Sequence, residues 1–495
     1  MTDYGMFIDG KWITTRKSAP VVSPATEETI ATVPIADERS INAALEAAKK
    51  AQRDWGRRTG VERGNVLRKW ADLIDKNRER LARLLSQEEG KPLSEALGEI
   101  DFGNSWFRYY AEFDRRIEGE IIAADKPNEQ LWIFRQPVGV VVGIIPWNYP
   151  MAVGVRKIAP ALIAGNAIVL KPHEDTPLSA LELGRLANEA GVPPGVVNIV
   201  TGPGETVGAA LVRSPIPRLI TFTGSVETGK AIARSAADNV TLVSLELGGK
   251  APFIVMDDCN LEEAVKTAVF SRFLNCGQVC ICNERTYVHK RIAKEFMERF
   301  VAQVEQLKVG DPLNADTQIG PKVNRQELEK VEGFVQRAVK SGAKVATGGK
   351  RKTGRGFGKG FWYEPTVLTG VRQDMEIIQK EIFGPVVPVM EFSDFEQGLS
   401  YANDSRYGLA AYLFSNDVNR IMRAIRDLEF GELYINRGPG ESIHAFHGGW
   451  KQSGVGGDDG RHGLDHLPGR RQQCDRLPCK PHVYLAPRRP GFGWP

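Results

Sequence analysis

The sequence predicts an α/β protein built around a largely parallel β-sheet. Short apolar runs alternate with segments whose apolar residues recur at helical spacing, which is typical of repeated strand and helix units. The predicted strands are continuously apolar, as expected for strands buried on both faces of a sheet. A chain of 495 residues is long enough for about three domains of roughly 150 residues each.

Two amphipathic helices are predicted before the sheet, over Ser40–Arg53 and Arg63–Glu88. The buried strands that follow are predicted at Val138–Ile145, Ala167–Leu170, Val196–Val200, Leu219–Phe222 and Pro252–Val255. The helices between them are predicted at Met151–Ile163, Leu178–Ala190, Thr206–Arg213 and Gly229–Ala237. Repeating units of this kind imply an open α/β sheet.

A second α/β unit is predicted beyond a boundary near Gly248. Its helices are predicted at Leu261–Leu274, Ala293–Leu307 and Glu327–Ser341, and its strands at Arg285–His289 and near Ala343–Ala346. The chain is therefore expected to hold two α/β domains in succession.

The composition, 42% hydrophobic and 25% charged, is that of an ordinary soluble protein. The net charge of +4 comes from the end of the chain, because residues 467–495 hold six Lys and Arg against one Asp. No basic surface for nucleic acid is expected elsewhere. No apolar run is long enough to span a bilayer, and the first residues do not resemble a secretion signal, so we do not expect secretion. We expect a cytoplasmic protein with reduced thiols and no membrane partner.

A cysteine and a glutamate, 34 positions apart, are the main candidates for catalysis. Cys280 ends the run FLNCGQVC, and Glu246 stands in the run LELGGK. A thiolate is a strong nucleophile toward carbonyl carbon, and a carboxylate can take a proton from a thiol or an attacking water. Glu246 ends an apolar strand, where partial desolvation strengthens a base. The two glycines after it let the backbone approach other groups closely.

A metal site is an alternative use of the neighbouring thiols of Cys276, Cys280 and Cys282. No Cys-x-x-Cys pair or nearby histidine completes a tetrahedral set, so no metal is expected. Cys276 and Cys282 are expected to pack in the core or to form reversible oxidation partners of Cys280.

Two further motifs follow predicted strands. Asn148 lies in the run PWNYP, and an asparagine amide can donate a hydrogen bond to the oxyanion of a tetrahedral adduct. The run GSVETGKA, from Gly224 to Ala231, nearly matches the phosphate-binding loop of nucleoside triphosphatases. Ala231 stands where that loop needs a hydroxyl for magnesium, which argues against ATP hydrolysis.

Together these motifs resemble the NAD(P)-dependent aldehyde dehydrogenases, in family order from Asp9 to about Asp465. The resemblance implies an aldehyde dehydrogenase-like fold with a Rossmann-type NAD-binding domain (1–117 and 138–247) and an α/β catalytic domain (248–466). A small β oligomerisation arm (118–137 and 467–495) would complete it. By resemblance, Cys280 is the nucleophile, Glu246 the general base and Asn148 the oxyanion-hole donor.

The resemblance also implies an NAD site. Lys171 and Glu174 match the residues that hydrogen-bond the adenosine ribose, and a carboxylate there repels a 2′-phosphate, so NAD is expected rather than NADP. Ser225 and the following helix match the pyrophosphate site. Glu381 and Phe383 match the contacts to the nicotinamide ribose and ring. The other expected cofactor contacts are Pro146, Trp147, Gly204, Gly224 and Gly229.

The implied reaction is oxidation of an aldehyde to a carboxylic acid through a cysteine thioester. Arg156, Glu441 and His447 resemble the polar pocket of lactaldehyde and glycolaldehyde dehydrogenases, which indicates a small hydroxyaldehyde. Ile281 stands where those enzymes have an asparagine, which suits a longer or aromatic aldehyde. Succinate semialdehyde, with its carboxylate on Arg156, is another alternative. A catalytically silent binding or structural protein of the same fold is the non-enzyme alternative.

The C-terminal residues 467–495 depart from the family, whose members usually end in a strand that pairs across a subunit interface. Six prolines and five arginines make this segment a poor interface strand. A shift of reading frame or a divergent end is our hypothesis. The resemblance still implies a homodimer or homotetramer. Nucleic-acid binding through the basic tail, the remaining alternative, predicts strongly salt-dependent affinity.

Overall fold

The computed structural model describes residues 2–123, 125, 130–465, 468–470 and 483–485. The described residues divide into two compact units. The first lies within Met1–Glu246, Ser442–Phe446 and Val455–Cys479, and the second within Leu247–Glu441, His447–Gly454 and Lys480–Pro495.

In the described part of the first unit, five strands are followed by three helices, and from residue 140 onward strands and helices alternate. Its helices are α1 (Glu38–Arg57), α2 (Gly60–Glu89), α3 (Leu93–Ala111), α4 (Pro150–Ile163), α5 (Leu178–Ala190), α6 (Ala209–Arg213) and α7 (Val226–Ala237). Its strands up to Glu246 are β1 (Thr2–Asp3), β2 (Met6–Ile8), β3 (Lys11–Ile13), β4 (Ser18–Val22), β5 (Thr29–Pro34), β6 (Glu120–Ala123), β7 (Gln130–Ile133), β8 (Arg135–Pro137), β9 (Val140–Ile144), β10 (Ala167–Lys171), β11 (Val197–Ile199), β12 (Leu219–Thr223) and β13 (Leu242–Glu246).

The main sheet of the first unit contains β13, β12, β9, β10, β11, β2 and β3 in this order. The strands from β13 to β11 run parallel, and β2 and β3 add an antiparallel edge. Because all five parallel strands point the same way, their carboxyl ends share one edge of the sheet. Ligands of open α/β sheets bind at this edge.

The long helices α2 and α3 pack on each other, and α3 packs on α4. Thr59 begins α2 by accepting from the Glu62 amide while Glu62 reaches back to the Thr59 amide, a capping box. The helix ends at Gly90, whose φ of 95° is the left-handed conformation that favours glycine. Trp70 of α2 stacks on Phe107 of α3 with ring centroids 4.7 Å apart, in the fully buried core.

The second unit repeats the α/β plan. Its helices are α8 (Leu261–Phe273), α9 (Ala293–Val304), α10 (Arg325–Lys340), α11 (Glu376–Gln379), α12 (Phe395–Asn403) and α13 (Val418–Asp427). Its strands up to Lys451 are β14 (Ala251–Val255), β15 (Asn283–His289), β16 (Lys344–Thr347), β17 (Thr366–Thr369), β18 (Val386–Phe392), β19 (Tyr407–Gly408), β20 (Ala410–Phe414), β21 (Glu432–Ile435) and β22 (Trp450–Lys451).

The last described elements are β23 (Gly454–Val455), α14 (Gly460–Leu464), β24 (Pro468–Arg470) and β25 (Val483–Leu485). The sheet of the second unit has the order β16, β17, β18, β15, β14, β20, β21 and β25, with β16 antiparallel to its neighbour and the rest parallel. Residues 467–495 were expected to make a poor interface strand. Two short strands from this segment pair within this chain, β24 with β8 and β25 with β21. The rest of 467–495 lies outside the described residues.

Strands β6 and β7 form an antiparallel hairpin in the first unit. Its large apolar side chains are solvent-exposed: Ile121, Leu131 and Trp132 on the strands and Phe134 just after them are exposed to 50% or more. Across the described part of the chain, no helix combines the length and the hydropathy needed to cross a membrane.

Candidate active site

In the first unit, most of the predicted cofactor residues lie at the carboxyl edge of the sheet. Lys171 ends β10 beside Ile144 at the end of β9, and Glu246 ends β13 beside Thr223 at the end of β12. The segments Pro146–Asn148 and Gly224–Ser225 follow β9 and β12 directly. The fold therefore brings together residues that are up to 100 positions apart in the chain.

Glu246 is buried as the last residue of β13. Its backbone carbonyl accepts a hydrogen bond of 3.0 Å from the Gly224 amide, which ties the turn after β12 to this strand end. An added Cβ on Gly224 would lie 2.4 Å from the Phe222 ring, so a larger residue here would require that ring to move.

Helix α7 begins at this turn. Ser225 is its N-cap, and the Ser225 Oγ accepts from the Thr228 amide at 3.2 Å. Gly229 lies within the first turns of the helix. The N-terminal amides and positive dipole end of a twelve-residue helix favour an anionic group at this position.

Lys171 and Glu174 form an ion pair of 2.9 Å. Glu174 Oε1 also accepts from the Gly204 amide at 3.5 Å, in the turn after β11. Burial alone would raise the pKa of Glu174, but the charges of Lys171 and His173 outweigh burial and hold it below its ordinary value. A carboxylate acceptor beside an ammonium donor suits the neighbouring hydroxyls of a ribose. With the α7 turn, these residues fit a dinucleotide.

Asn148 is buried just before α4. Its backbone carbonyl accepts a hydrogen bond of 2.7 Å from Lys91 Nζ. Lys91 was not predicted as a site residue, because a lysine at the end of an amphipathic helix is normally a surface charge.

Arg156 lies on α4 with its guanidinium paired to Asp459. Nε donates to Asp459 Oδ1 at 2.9 Å, and a second nitrogen contacts Oδ2. Trp106 donates to the same Oδ1 at 2.8 Å, and its ring lies 4.9 Å from the guanidinium carbon. Both members of the ion pair are buried. Asp459 was also not predicted from the sequence.

In the second unit, Cys280 follows a tight turn after α8. Asn275, Cys276 and Gly277 all have left-handed φ values, of 48°, 55° and 71°. Gly277 cannot be replaced, because a Cβ would lie 2.3 Å from the Gly384 carbonyl oxygen. Cys276 and Cys282 are buried, whereas Cys280 is only partly buried. Partial exposure is typical of a reactive thiol.

The two glycines after Glu246 pack closely in the second unit, as their sequence position predicts. A Cβ on Gly249 would lie 2.3 Å from the Cys280 carbonyl oxygen, and one on Gly248 would lie 2.5 Å from Glu381 Oε2. The Gly249 amide donates to Glu381 Oε1 at 2.8 Å. Burial, and then the nearby Glu284 charge, raise the pKa of Glu381 to about 7.

Glu284, which the sequence analysis missed, holds the segment that carries Glu381 and Phe383. Its buried carboxylate accepts from the amides of Ile382 and Phe383, each at 2.7 Å, and pairs with Lys250 Nζ at 2.8 Å. Phe383 has a left-handed φ of 56°, so these contacts stabilise a conformation that is costly for a phenylalanine.

Glu441 and His447, predicted to contact substrate, lie together in the second unit. His447 Nδ1 is 2.7 Å from Glu432 and 3.5 Å from Glu441. Ile281 is buried, and its backbone carbonyl accepts from the Tyr412 hydroxyl at 2.5 Å.

The model of the aldehyde dehydrogenase family matches residues 12–470. The 3,6-anhydro-alpha-L-galactose dehydrogenase of Vibrio sp. (strain EJY3) is 47% identical over 467 residues, which cover 94% of this chain and 97% of that protein. The lactaldehyde dehydrogenase of Escherichia coli (strain K12) is 45% identical over 462 residues, which cover 93% and 96%.

A solved structure of 3,6-anhydro-L-galactose dehydrogenase in complex with NAP has a TM-score of 0.93 to this chain at 48% identity. It covers 95% of this chain, and this chain covers 99% of it. The chain therefore belongs to the aldehyde dehydrogenase family, and the α/β, aldehyde dehydrogenase-like fold predicted from the sequence is confirmed. It is an NAD(P)-dependent aldehyde dehydrogenase.

Proposed function

We propose that this enzyme uses NAD to oxidise a small α-hydroxyaldehyde, such as lactaldehyde or glycolaldehyde, to the carboxylic acid. The observation that carries the choice of substrate is the Arg156–Asp459 ion pair. Since Asp459 already neutralises Arg156, this arginine offers a substrate carboxylate little net attraction. The aldehyde named for the relative from Vibrio, 3,6-anhydro-alpha-L-galactose, is also hydroxylated beside its carbonyl.

In the proposed reaction, the Cys280 thiolate adds to the aldehyde carbon and gives a hemithioacetal oxyanion. The Asn148 amide donates to that oxygen, which lowers the barrier by about 3 kcal/mol on the scale of such donors. Bound NAD would supply the acceptor for the hydride that the substrate carbon loses, and loss of that hydride leaves a thioester on Cys280. Glu246 then takes a proton from water as the water attacks the thioester, and the carboxylic acid and the Cys280 thiol are released.

Three groups of residues are proposed to hold the successive parts of NAD. Lys171, Glu174 and Gly204 would bind the adenosine ribose, and Gly224, Ser225 and Gly229 the pyrophosphate. Pro146 and Trp147 at the end of β9, with Glu381 and Phe383 in the second unit, would bind toward the nicotinamide. The Lys171–Glu174 pair supports this assignment, because its two charged groups match the two hydroxyls of an unphosphorylated ribose.

Removal of the Glu174 charge is expected to weaken the preference for NAD. In Glu174→Gln, the ratio of kcat/KM for NADP to that for NAD should rise about tenfold or more, because a 2′-phosphate no longer meets a carboxylate. Steady-state kinetics with both cofactors measures this ratio. Asp175→Asn, in the same turn, is the matched control and should leave the ratio within about twofold. An equal rise in both variants would contradict a specific role for Glu174.

A substrate panel tests the proposed aldehyde. We expect kcat/KM for lactaldehyde and glycolaldehyde to exceed that for succinate semialdehyde and for an aromatic aldehyde by about tenfold or more. In Asp459→Asn, which keeps the side chain's shape, Arg156 loses the carboxylate charge to which its guanidinium is hydrogen-bonded. The ratio of succinate semialdehyde to lactaldehyde activity should then rise about tenfold.

Asp465→Asn, which removes a carboxylate paired with Arg135 instead, is the matched control and should leave the panel unchanged. Poor activity of the unmodified enzyme with both hydroxyaldehydes would reject the proposed substrate. The longer or aromatic aldehydes suggested by Ile281 would then be favoured.

We also propose that the enzyme is a homodimer or homotetramer that associates through residues 118–137. The exposed apolar side chains of the β6–β7 hairpin support this proposal, since contiguous exposed apolar surface usually marks an interface.

A further inference from the structure

A buried ion pair in the first unit contacts the turn that carries Asn148. Lys91 precedes α3, Glu99 lies within α3, and both side chains are completely buried. Lys91 Nζ contacts Glu99 Oε2, and Glu89 accepts from the Lys91 amide at 2.9 Å. Two fully buried charges are costly to desolvate, so their other contacts indicate why they are present.

Glu99 caps α4 from a neighbouring helix. Its Oε1 accepts from the amides of Met151 and Ala152, at 3.0 and 3.1 Å. These amides lie in the first turn of α4, where no earlier carbonyl of the same helix can pair with them. A carboxylate at this end also interacts favourably with the helix dipole. Glu99 therefore fixes the start of the helix that immediately follows Asn148.

Lys91 contacts the other side of the same turn. Its Nζ donates to the Asn148 carbonyl oxygen at 2.7 Å and lies 3.8 Å from the centre of the Tyr149 ring. Burial alone would lower the pKa of Lys91, but Glu99 and Glu89 outweigh burial and raise it above its ordinary value, so the ammonium stays charged. Lys91 and Glu99 together thus contact four of the five residues from 148 to 152.

We infer that Lys91 and Glu99 are positioning residues, which orient the Asn148 side chain toward the oxyanion formed when Cys280 adds to an aldehyde. This inference rests on the oxyanion role proposed for Asn148. Neither residue needs to touch the substrate. An apolar pair could fill the same volume, but it would leave the Asn148 carbonyl and the first amides of α4 without these partners. A shift of about 1 Å in a catalytic group can lower the rate about a hundredfold.

A double-mutant cycle with Asn148 tests the inference. The variants are Lys91→Met/Glu99→Gln, which removes both charges together, Asn148→Ala, and the triple combination. If the pair acts through Asn148, the pair substitution should lower kcat/KM by about 30-fold or more with Asn148 present and by less than about threefold in the Asn148→Ala enzyme.

Two measurements separate positioning from general damage. Alkylation of Cys280 by iodoacetamide needs no oxyanion donor, so its rate should stay within about twofold of the unmodified protein. NAD affinity, followed by tryptophan fluorescence, should also be retained. Glu88→Gln is the matched control, because Glu88 caps α5 in the same manner through the amides of Leu178 and Ser179. Glu88→Gln should change kcat/KM by the same factor in the enzyme with Asn148 and in the Asn148→Ala enzyme.

Equal losses from the pair substitution in both Asn148 backgrounds would overturn the inference, as would a parallel loss of Cys280 alkylation. If the neutral pair does not fold, Lys91→Arg keeps the charge but moves it. Lys91→Arg should still lower kcat/KM about tenfold when Asn148 is present, and it should not lower kcat/KM further in the Asn148→Ala enzyme. Full activity of Asn148→Ala alone would instead reject the oxyanion role in the proposed function.

Discussion

The Cys280→Ser protein is expected to oxidise aldehydes at least about 10⁴-fold more slowly than the unmodified enzyme, because a serine hydroxyl is not ionised where a cysteine thiol can be. NADH formation from lactaldehyde measures the loss directly. NAD affinity and the unfolding temperature should change little, since one oxygen replaces one sulfur on a partly buried side chain.

The neighbouring thiols supply the matched controls. Cys276→Ser and Cys282→Ser make the same chemical change at buried positions four residues before and two residues after Cys280. Both variants should keep activity within about tenfold, with any loss accompanied by lower stability. A normal rate in Cys280→Ser, or complete inactivation by Cys282→Ser alone, would show that the nucleophile is misassigned.

Glu246→Gln is expected to stop the cycle after the thioester has formed. Without the carboxylate to take a proton from water, steady turnover should fall by about 10²- to 10⁴-fold. Rapid mixing with NAD and aldehyde should still give a burst of up to about one NADH per active site. The acylated enzyme should then be visible by mass spectrometry as an adduct on Cys280.

Hydroxylamine distinguishes loss of the base from loss of the fold. As a strong nucleophile it can attack the thioester without a general base, so it should restore turnover to Glu246→Gln but not to Cys280→Ser. Glu189→Gln, on the exposed face of α5, is the surface control and should behave as the unmodified enzyme. Absence of a burst in Glu246→Gln would assign Glu246 to an earlier step.

The regular elements near the cofactor edge could be predicted because their apolar pattern is strong. Helix α5 has the predicted bounds, and β10 and β12 each differ by one residue. Helix α3 was not predicted, because Glu99, Gly103 and Asn104 lie on its buried face and interrupt the apolar period. The predicted helix at Thr206–Arg213 instead begins as a π-helical turn, Gly204–Gly208, before α6.

The residues of the candidate site likewise fall into those that the sequence could predict and those that it could not. Residues such as Cys280 and Glu246 stand in continuous motifs, so their chemistry can be inferred from neighbours in the chain. The roles of Lys91, Glu99, Glu284 and Asp459 depend instead on contacts with groups that are distant in the sequence: Lys91 meets Asn148, 57 positions away, and Asp459 meets Arg156, 303 positions away. Nothing local distinguishes such a residue from a surface charge, and only the fold shows that it is buried and paired.

The close packing of Gly249 against the Cys280 carbonyl has a consequence for directed evolution of this enzyme. A larger residue at position 249 would displace the Cys280 backbone, and one at position 248 would displace the Glu381 carboxylate. Ile281 is different, since Tyr412 anchors its carbonyl rather than its side chain. On the substrate role proposed for Ile281, a library that aims to change the aldehyde accepted should therefore randomise position 281 and keep both glycines fixed.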